Sequence, residues 1–166
     1  MQRTLRSLAL IDELTGLYNR RGFTNLAMQH LKLAQRTKRN SLLLLIDVDK
    51  LKHINDTFGH PEGDQTLVDV ADILRGTFRT SDLIARIGGD EFAMIAIEAH
   101  KDSGNLLTER LQEKLNGHNA QPNRRYQLSL SVGVACLDPD SQKSFEDLMA
   151  AADRALYECK RSPLRS

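Results

Sequence analysis

The longest unbroken apolar run in the chain, Leu42 to Ile46, lies within a stretch from Ser41 to Asp49 and predicts a central strand covered on both faces. It ends abruptly in Asp47-Val48-Asp49. Upstream, Leu5, Leu8 and Ile11 recur at helical spacing and predict a short linker helix over 1–11, entering from a region before this sequence. Asp12 to Arg20 reads as a turn-rich link. Asn19 is placed to cap a helix from Arg20 whose buried face is Phe23, Leu26, Ala27, Leu31 and Ala34.

Beyond the central strand, Asn55 to Asp64 reads as a polar loop leading into a helix, Gly63 to Phe78, with Leu67, Val70, Leu74 and Phe78 on one face. Two apolar runs, Leu83 to Ile87 and Phe92 to Ile97, flank a Gly-rich break and predict a β-hairpin. Ser103 to Asn116 reads as a helix using Leu106, Leu107, Leu111 and Leu115, and Gly117 to Arg125 as a polar loop containing Pro122. Tyr126 to Leu137 alternates Leu128, Leu130, Val132 and Val134 with polar or small residues, as a half-buried strand does, and Ser144 to Arg161 is a closing helix. This order predicts an α+β fold: a ferredoxin-like βαββαβ core with extra helices, a mostly antiparallel sheet, and helices chiefly on one face.

A length of 166 residues fits one domain, 1–166. Net charge is only +1 and the basic residues are scattered, which argues against an extended nucleic-acid footprint or a polybasic membrane contact. The two cysteines, Cys136 and Cys159, make no CxxC pair, so a zinc site is not indicated and a reducing, cytoplasmic setting is expected. No apolar run is long enough to span a bilayer, so any tether to the inner membrane would lie outside this sequence.

The candidate chemistry sits at the strand end and the hairpin tip. Gly88-Gly89-Asp90-Glu91-Phe92 combines two glycines, whose missing Cβ lets a ligand approach the backbone, with two carboxylates. Read alone, such a stretch is more commonly a polar hairpin turn with solvated carboxylates. Asp47 and Asp49 are two apart at the end of a strand and point the same way. An EF-hand loop from Asp47 is excluded because its sixth position is Lys52 and its twelfth is Phe58. The alternative is Mg²⁺, held by Asp47 and Asp90 with a main-chain carbonyl and nucleotide phosphates. Lys52 could neutralise charge on a phosphoryl group, or be merely solvated. Asn55 and Asp64, with His60 between them, offer an amide and a carboxylate, the pair needed to read guanine.

Taken together, these motifs resemble the GGDEF family of diguanylate cyclases, whose fold is nucleotidyl-cyclase-like, and the resemblance runs over nearly the whole chain. Asp12 to Arg20 resembles the family's opening motif, Asp47 to Asp56 its metal strand and substrate loop, Gly59 to Asp64 its guanine loop, and Ala152 to Lys160 its last helix. The resemblance implies condensation of two GTP into cyclic di-GMP across a homodimer, with Mg²⁺ or alternatively Mn²⁺. It gives Asp47, the Val48 carbonyl, Asp90 and Glu91 as the metal site, with Asp90 also as base. Asn55 and Asp64 become the guanine readers, while His60, Gly88, Gly89 and Lys160 become substrate contacts and Lys52 the transition-state cation. Arg79 and Asp82 resemble an inhibitory product site, and a sensory domain is expected upstream. The alternative reading is a weakly catalytic module that binds GTP or cyclic di-GMP and regulates an attached partner. Two positions depart from the family pattern: Leu51 replaces an aromatic residue, and Arg161 to Arg165 replaces a Gly-Arg-Asn close, leaving Arg161 or Arg165 as the candidate second phosphate contact.

Overall fold

The computed structural model describes residues 9–97 and 103–161. The linker helix expected at the start falls largely on residues 1–8, outside the described residues, as does Arg165; Leu10 is in a turn and Ile11 in an isolated bridge to Tyr18. In chain order the elements are α1 (Arg20–Thr37), β1 (Ser41–Val48), α2 (Leu51–Phe58), α3 (His60–Thr77), β2 (Leu83–Arg86), β3 (Glu91–Ile97), α4 (Ser103–Asn119), β4 (Leu130–Leu137) and α5 (Phe145–Arg161).

The strands form one four-stranded sheet in the order β2-β3-β1-β4, with every neighbouring pair antiparallel. This is the α+β, ferredoxin-like arrangement expected. The expectation that helices cover chiefly one face is overturned. Leu43, Leu45, Ala93, Ile95 and Leu137 pack against α1 and α5, through residues such as Phe23, Ala27, Leu148 and Leu156. On the other face, Leu42, Leu44, Ile46 and Met94 pack against α2, α3 and α4, through Ile54, Leu67, Val70, Leu74 and Leu111. Alternate residues of β1 therefore feed two cores, as its unbroken apolar run requires.

Three local expectations also change. The polar loop over Asn55 to Asp64 is two helices broken at Gly59, which has φ 93°, a conformation that favours glycine. Leu51, Ile54 and Phe58 carry the first helix's apolar spacing, and Pro61 fits the first turn of the second, where its missing N–H costs nothing. On α4 the buried positions are Gly104, Leu111, Leu115 and Asn119, with Leu107 partly buried, whereas Leu106 is 60% exposed. β4 starts at Leu130 instead of Tyr126 because the buried Asn119 amide takes both backbone groups of Leu128, accepting from its N–H at 2.8 Å and donating to its carbonyl at 2.9 Å. A side chain here replaces the neighbouring strand.

The approach of α5 to β4 is set by Gly133, where an added Cβ would lie 2.3 Å from both the Ala152 carbonyl oxygen and the Leu156 nitrogen. Backbone atoms cannot move aside as a side-chain tip can. Gly133→Ala is expected to cost about 3 kcal/mol of stability, read by urea denaturation, and a variant as stable as the parent would show that α5 slides freely on the sheet.

Candidate active site at the end of the central strand

Asp47 is the penultimate residue of β1, paired with Glu91 on β3 and Ser131 on β4. It is only 7% exposed. The hairpin tip is fastened to the same place: the Val48 N–H donates to the Asp90 carbonyl oxygen at 2.9 Å, so Asp90 follows wherever the strand end goes. A cleft of about 870 Å³ opens there, lined by Asp47, Val48, Asp49, Asp90 and Lys160 together with Tyr126 and Gln127.

Burial is the main cause that pushes the Asp47 carboxyl above its usual range; Lys160 works against it, while the charge of Asp90 adds to it. Lys160, on the last turn of α5, makes an ion pair with Asp47 Oδ2. That hydrogen bond is the largest cause holding the ammonium protonated above its ordinary range, with the charges of Asp47, Asp90 and Asp49 adding to it. Glu91 is raised first by burial and then by Asp47 and Asp153, with Arg20 opposing. The site thus gathers more negative than positive charge. Asp47 and Asp90 are mutually close carboxylates with a cation already on one of them, a donor set of hard oxygens that fits a divalent ion. No group of three or more His, Cys, Asp or Glu side chains suited to a metal occurs among the described residues, so such an ion would need backbone or ligand oxygens as well.

The glycines of the tip bear on what the site can admit. Neither Gly88 nor Gly89 has a positive φ, and a Cβ on Gly89 would meet nothing within 4 Å. The fold does not demand glycine at 89; the bare main chain leaves room on the solvent side.

Asn55 lies in the last turn of α2, and an added Cβ at Gly63 would fall 1.6 Å from its Oδ1. The amide therefore rests on Gly63, whose neighbour Asp64 is exposed just past the first turn of α3; His60 is exposed at that helix's start. Asn55 and Asp64 thus stand on successive helices either side of Gly59, and neither they nor His60 line the cleft. Lys52 is exposed on α2 and does not line the cleft. Arg79 and Asp82 stand apart, beside a cavity of about 370 Å³ shared with Arg75, Tyr18 and Ile84. There the Asp82 carboxylate accepts from the Arg79 N–H at 2.9 Å and closes a turn.

Several features escape sequence reading. Asp49 is held by the hydroxyls of Ser129 and Ser131, each at 2.7 Å, although nothing in their spacing singles them out from other polar strand positions. Lys50 is left-handed with φ 61°, and α2 begins after it, directly beyond the acidic strand end, without a side-chain cap. Asp12 accepts from Thr15 and pairs with Arg86 at 3.0 Å, while the same guanidinium donates to the Gly89 carbonyl oxygen at 3.0 Å. Only the polar Asp12 and Arg86 themselves, far apart in sequence, signal that link.

Comparison with known proteins follows the same lines. A family model described as the diguanylate cyclase GGDEF domain matches residues 9–165. The chain is 37% identical over 161 residues to the probable diguanylate cyclase DgcC of Escherichia coli, covering 97% of this chain and 43% of that protein. It is 36% identical over 157 residues to the cyclic di-GMP phosphodiesterase NbdA of Pseudomonas aeruginosa, covering 95% of this chain and 20% of that one. The chain thus spans less than half the length of these relatives. Among solved structures, the coiled coil and GGDEF domain of DgcB from Caulobacter crescentus, in complex with c-di-GMP, superposes with a TM-score of 0.88 at 28% identity, covering 98% of this chain and 86% of that one.

The Asp12 and Arg86 side chains are 18% and 19% exposed, so their pair is incompletely screened by solvent. Arg86→Met is expected to lower the unfolding free energy by about 2 kcal/mol, the scale of a charge-assisted hydrogen bond. Urea melts of the variant check this, and a change within experimental error would reduce the pair to a surface contact.

Proposed function

Because the chain belongs to the GGDEF family of diguanylate cyclases, we propose that it condenses two GTP molecules into cyclic di-GMP and releases two pyrophosphates. The observation that carries this reading is the convergence of Asp47, Asp90 and Lys160 on one cleft, with the glycine turn beside it leaving room for a ligand. A buried carboxylate, a second one on an exposed tip and a half-exposed ammonium suit phosphoryl transfer, in which positioning and charge neutralisation carry most of the catalysis.

Asp47, Asp90 and the main-chain carbonyl of Val48, with Glu91 behind them, are the residues that would hold a divalent metal. Bound Mg²⁺, or alternatively Mn²⁺, would supply Lewis-acid neutralisation of phosphate charge. Asp90 accepts the proton of a ribose 3′-hydroxyl; that oxygen bonds to the α-phosphorus of the second GTP as the bond to pyrophosphate breaks. Lys160, whose side chain is 47% exposed, exchanges Asp47 for a phosphate oxygen when substrate arrives. The opening N–H groups of α2 face the same phosphates. Lys52, exposed on α2, acts only if it swings to the transition state. Asn55 and Asp64 read guanine, with His60 at the edge of the base. Each chain contributes one cleft, so two copies must face each other as a homodimer, which an upstream sensory domain would favour or prevent. Product held at Arg79 and Asp82 would inhibit; Asp82 must then exchange its turn hydrogen bond for guanine.

Incubation with GTP and Mg²⁺ followed by chromatography tests the activity: a cyclic dinucleotide is expected. Asp47→Asn and Asp90→Asn should each lower the rate about a hundredfold or more, with the circular dichroism spectrum intact. Because the relative NbdA is named as a phosphodiesterase, a regulatory module is the second reading, and tight GTP binding without product would select it. For the inhibitory site, Arg79→Ala should relieve inhibition by added cyclic di-GMP while leaving initial rates unchanged; undiminished inhibition would return Arg79 to the ordinary surface.

A further inference from the structure

The elements on either side of the Gly59 break are gripped by one pair of residues from elsewhere in the chain. The Phe58 ring, at the end of α2, lies 5.0 Å from the Tyr126 ring, and the Arg125 guanidinium carbon sits 4.8 Å above Phe58. On the other side of the break, Glu62 of α3 accepts from Arg125 Nη2 at 2.9 Å through one carboxylate oxygen and from the Tyr126 hydroxyl at 2.9 Å through the other. The Tyr126 hydroxyl also meets Thr66 Oγ1 at 2.6 Å, and Thr66 is fully buried. Arg125 and Tyr126 are themselves held in place: Arg124 pairs with Asp69 of α3 at 3.6 Å, and Leu128 is fixed by the Asn119 amide.

We propose that Arg125 and Tyr126 are positioning residues for base recognition, clamping Phe58 and Glu62 so that Asn55 and Asp64 stay at the separation guanine requires. The inference rests on the reading of Asn55 and Asp64 given above. Asn55 is three residues before Phe58, and Asp64 is two after Glu62. Between them Gly59 is a backbone position of high freedom, with only the Asn55 carbonyl accepting its N–H at 2.8 Å and its own carbonyl accepting from Gly63 at 3.2 Å. Two hydrogen-bonding groups carried on separate helices recognise one planar base only if the angle between the helices is fixed. The clamp fixes it with a cation over a ring and two hydrogen bonds to one carboxylate. Tyr126 lines the same cleft as Asp47 and Asp90, but the clamp's hydrogen bonds run to Glu62 and Thr66, so pyrophosphate affinity separates its effect on the base from an effect at the acid end.

The test compares the affinities of the intact chain, by calorimetry, for GTP, ATP and pyrophosphate, each with Mg²⁺. In Arg125→Ala, GTP affinity is expected to fall about tenfold, as misplacement of positioning groups commonly costs that much or more, while ATP and pyrophosphate affinities hold. Tyr126→Phe, which keeps the ring on Phe58 and removes only the hydroxyl, should shift the GTP to ATP ratio in the same direction by less. If the parent discriminates but the ratio is unchanged in both variants, the clamp is overturned while the base assignment stands. Equal losses for all three ligands would likewise overturn it, marking general loosening. A parent chain indifferent between GTP and ATP would remove the Asn55 and Asp64 assignment itself.

Discussion

Burial of β1 on both faces is the constraint from which the rest of the molecule follows. Every residue from Ser41 to Val48 is buried, and both edges of the strand are bonded to neighbours, so no position along it can meet a ligand except at its end. Asp47 stands at that limit, inside the burial and yet ionisable. A strand so fully committed cannot shift register without moving its side chains to the opposite core. The carboxylate is therefore held more firmly than any loop could hold it, and the hydrogen bond from Val48 to Asp90 passes that rigidity to the hairpin tip.

The charge arrangement at this end opposes folding and suits a cationic or phosphate-bearing ligand. Asp47 and Glu91 face each other across adjacent strands, a pairing of like charges that weakens a sheet, and Asp153 adds to it from α5. Lys160 and Arg20 offset part of this. Above the unfolded carboxylate pKa, the raised values of Asp47 and Glu91 mean that ionisation costs more in the folded chain than in the unfolded one, so these groups subtract from stability at neutral pH. A fold gains nothing structurally from that arrangement. The cost is of the kind expected where geometry is kept for binding.

What the sequence disclosed follows from how local each signal is. The β1 run, the Asn19 cap and the Gly-rich hairpin depend on neighbouring residues, and all three are visible as patterns; the Asn19 side chain does accept from the Gly22 N–H as its position implies. The helix Leu51–Phe58 was hidden because Asn55, Asp56 and Thr57 have weak helical preference and only Leu51, Ile54 and Phe58 carry the spacing; packing against the core overrides propensity. The Leu106 position on α4 misleads for the opposite reason, since an apolar residue on a helix is not obliged to be buried. Pairings such as Asp49 with Ser129, or Arg125 with Glu62, join segments far apart in sequence and leave no periodic trace.

The two parts of the site that touch solvent are each tethered by an arginine, and the geometry of that side chain explains why. A guanidinium offers several donors in one plane, so a single residue can hold two acceptors from different segments at once. Arg86 does so with Asp12 and the Gly89 carbonyl; Arg125 does so with Glu62 while lying on Phe58. Glycine-rich turns require such tethers, since Gly89 has nothing around its missing Cβ and cannot be fixed by its own packing. Freedom for a ligand to approach and fixed placement of the turn are opposed demands on the same backbone, and a guanidinium anchored on β2 satisfies both.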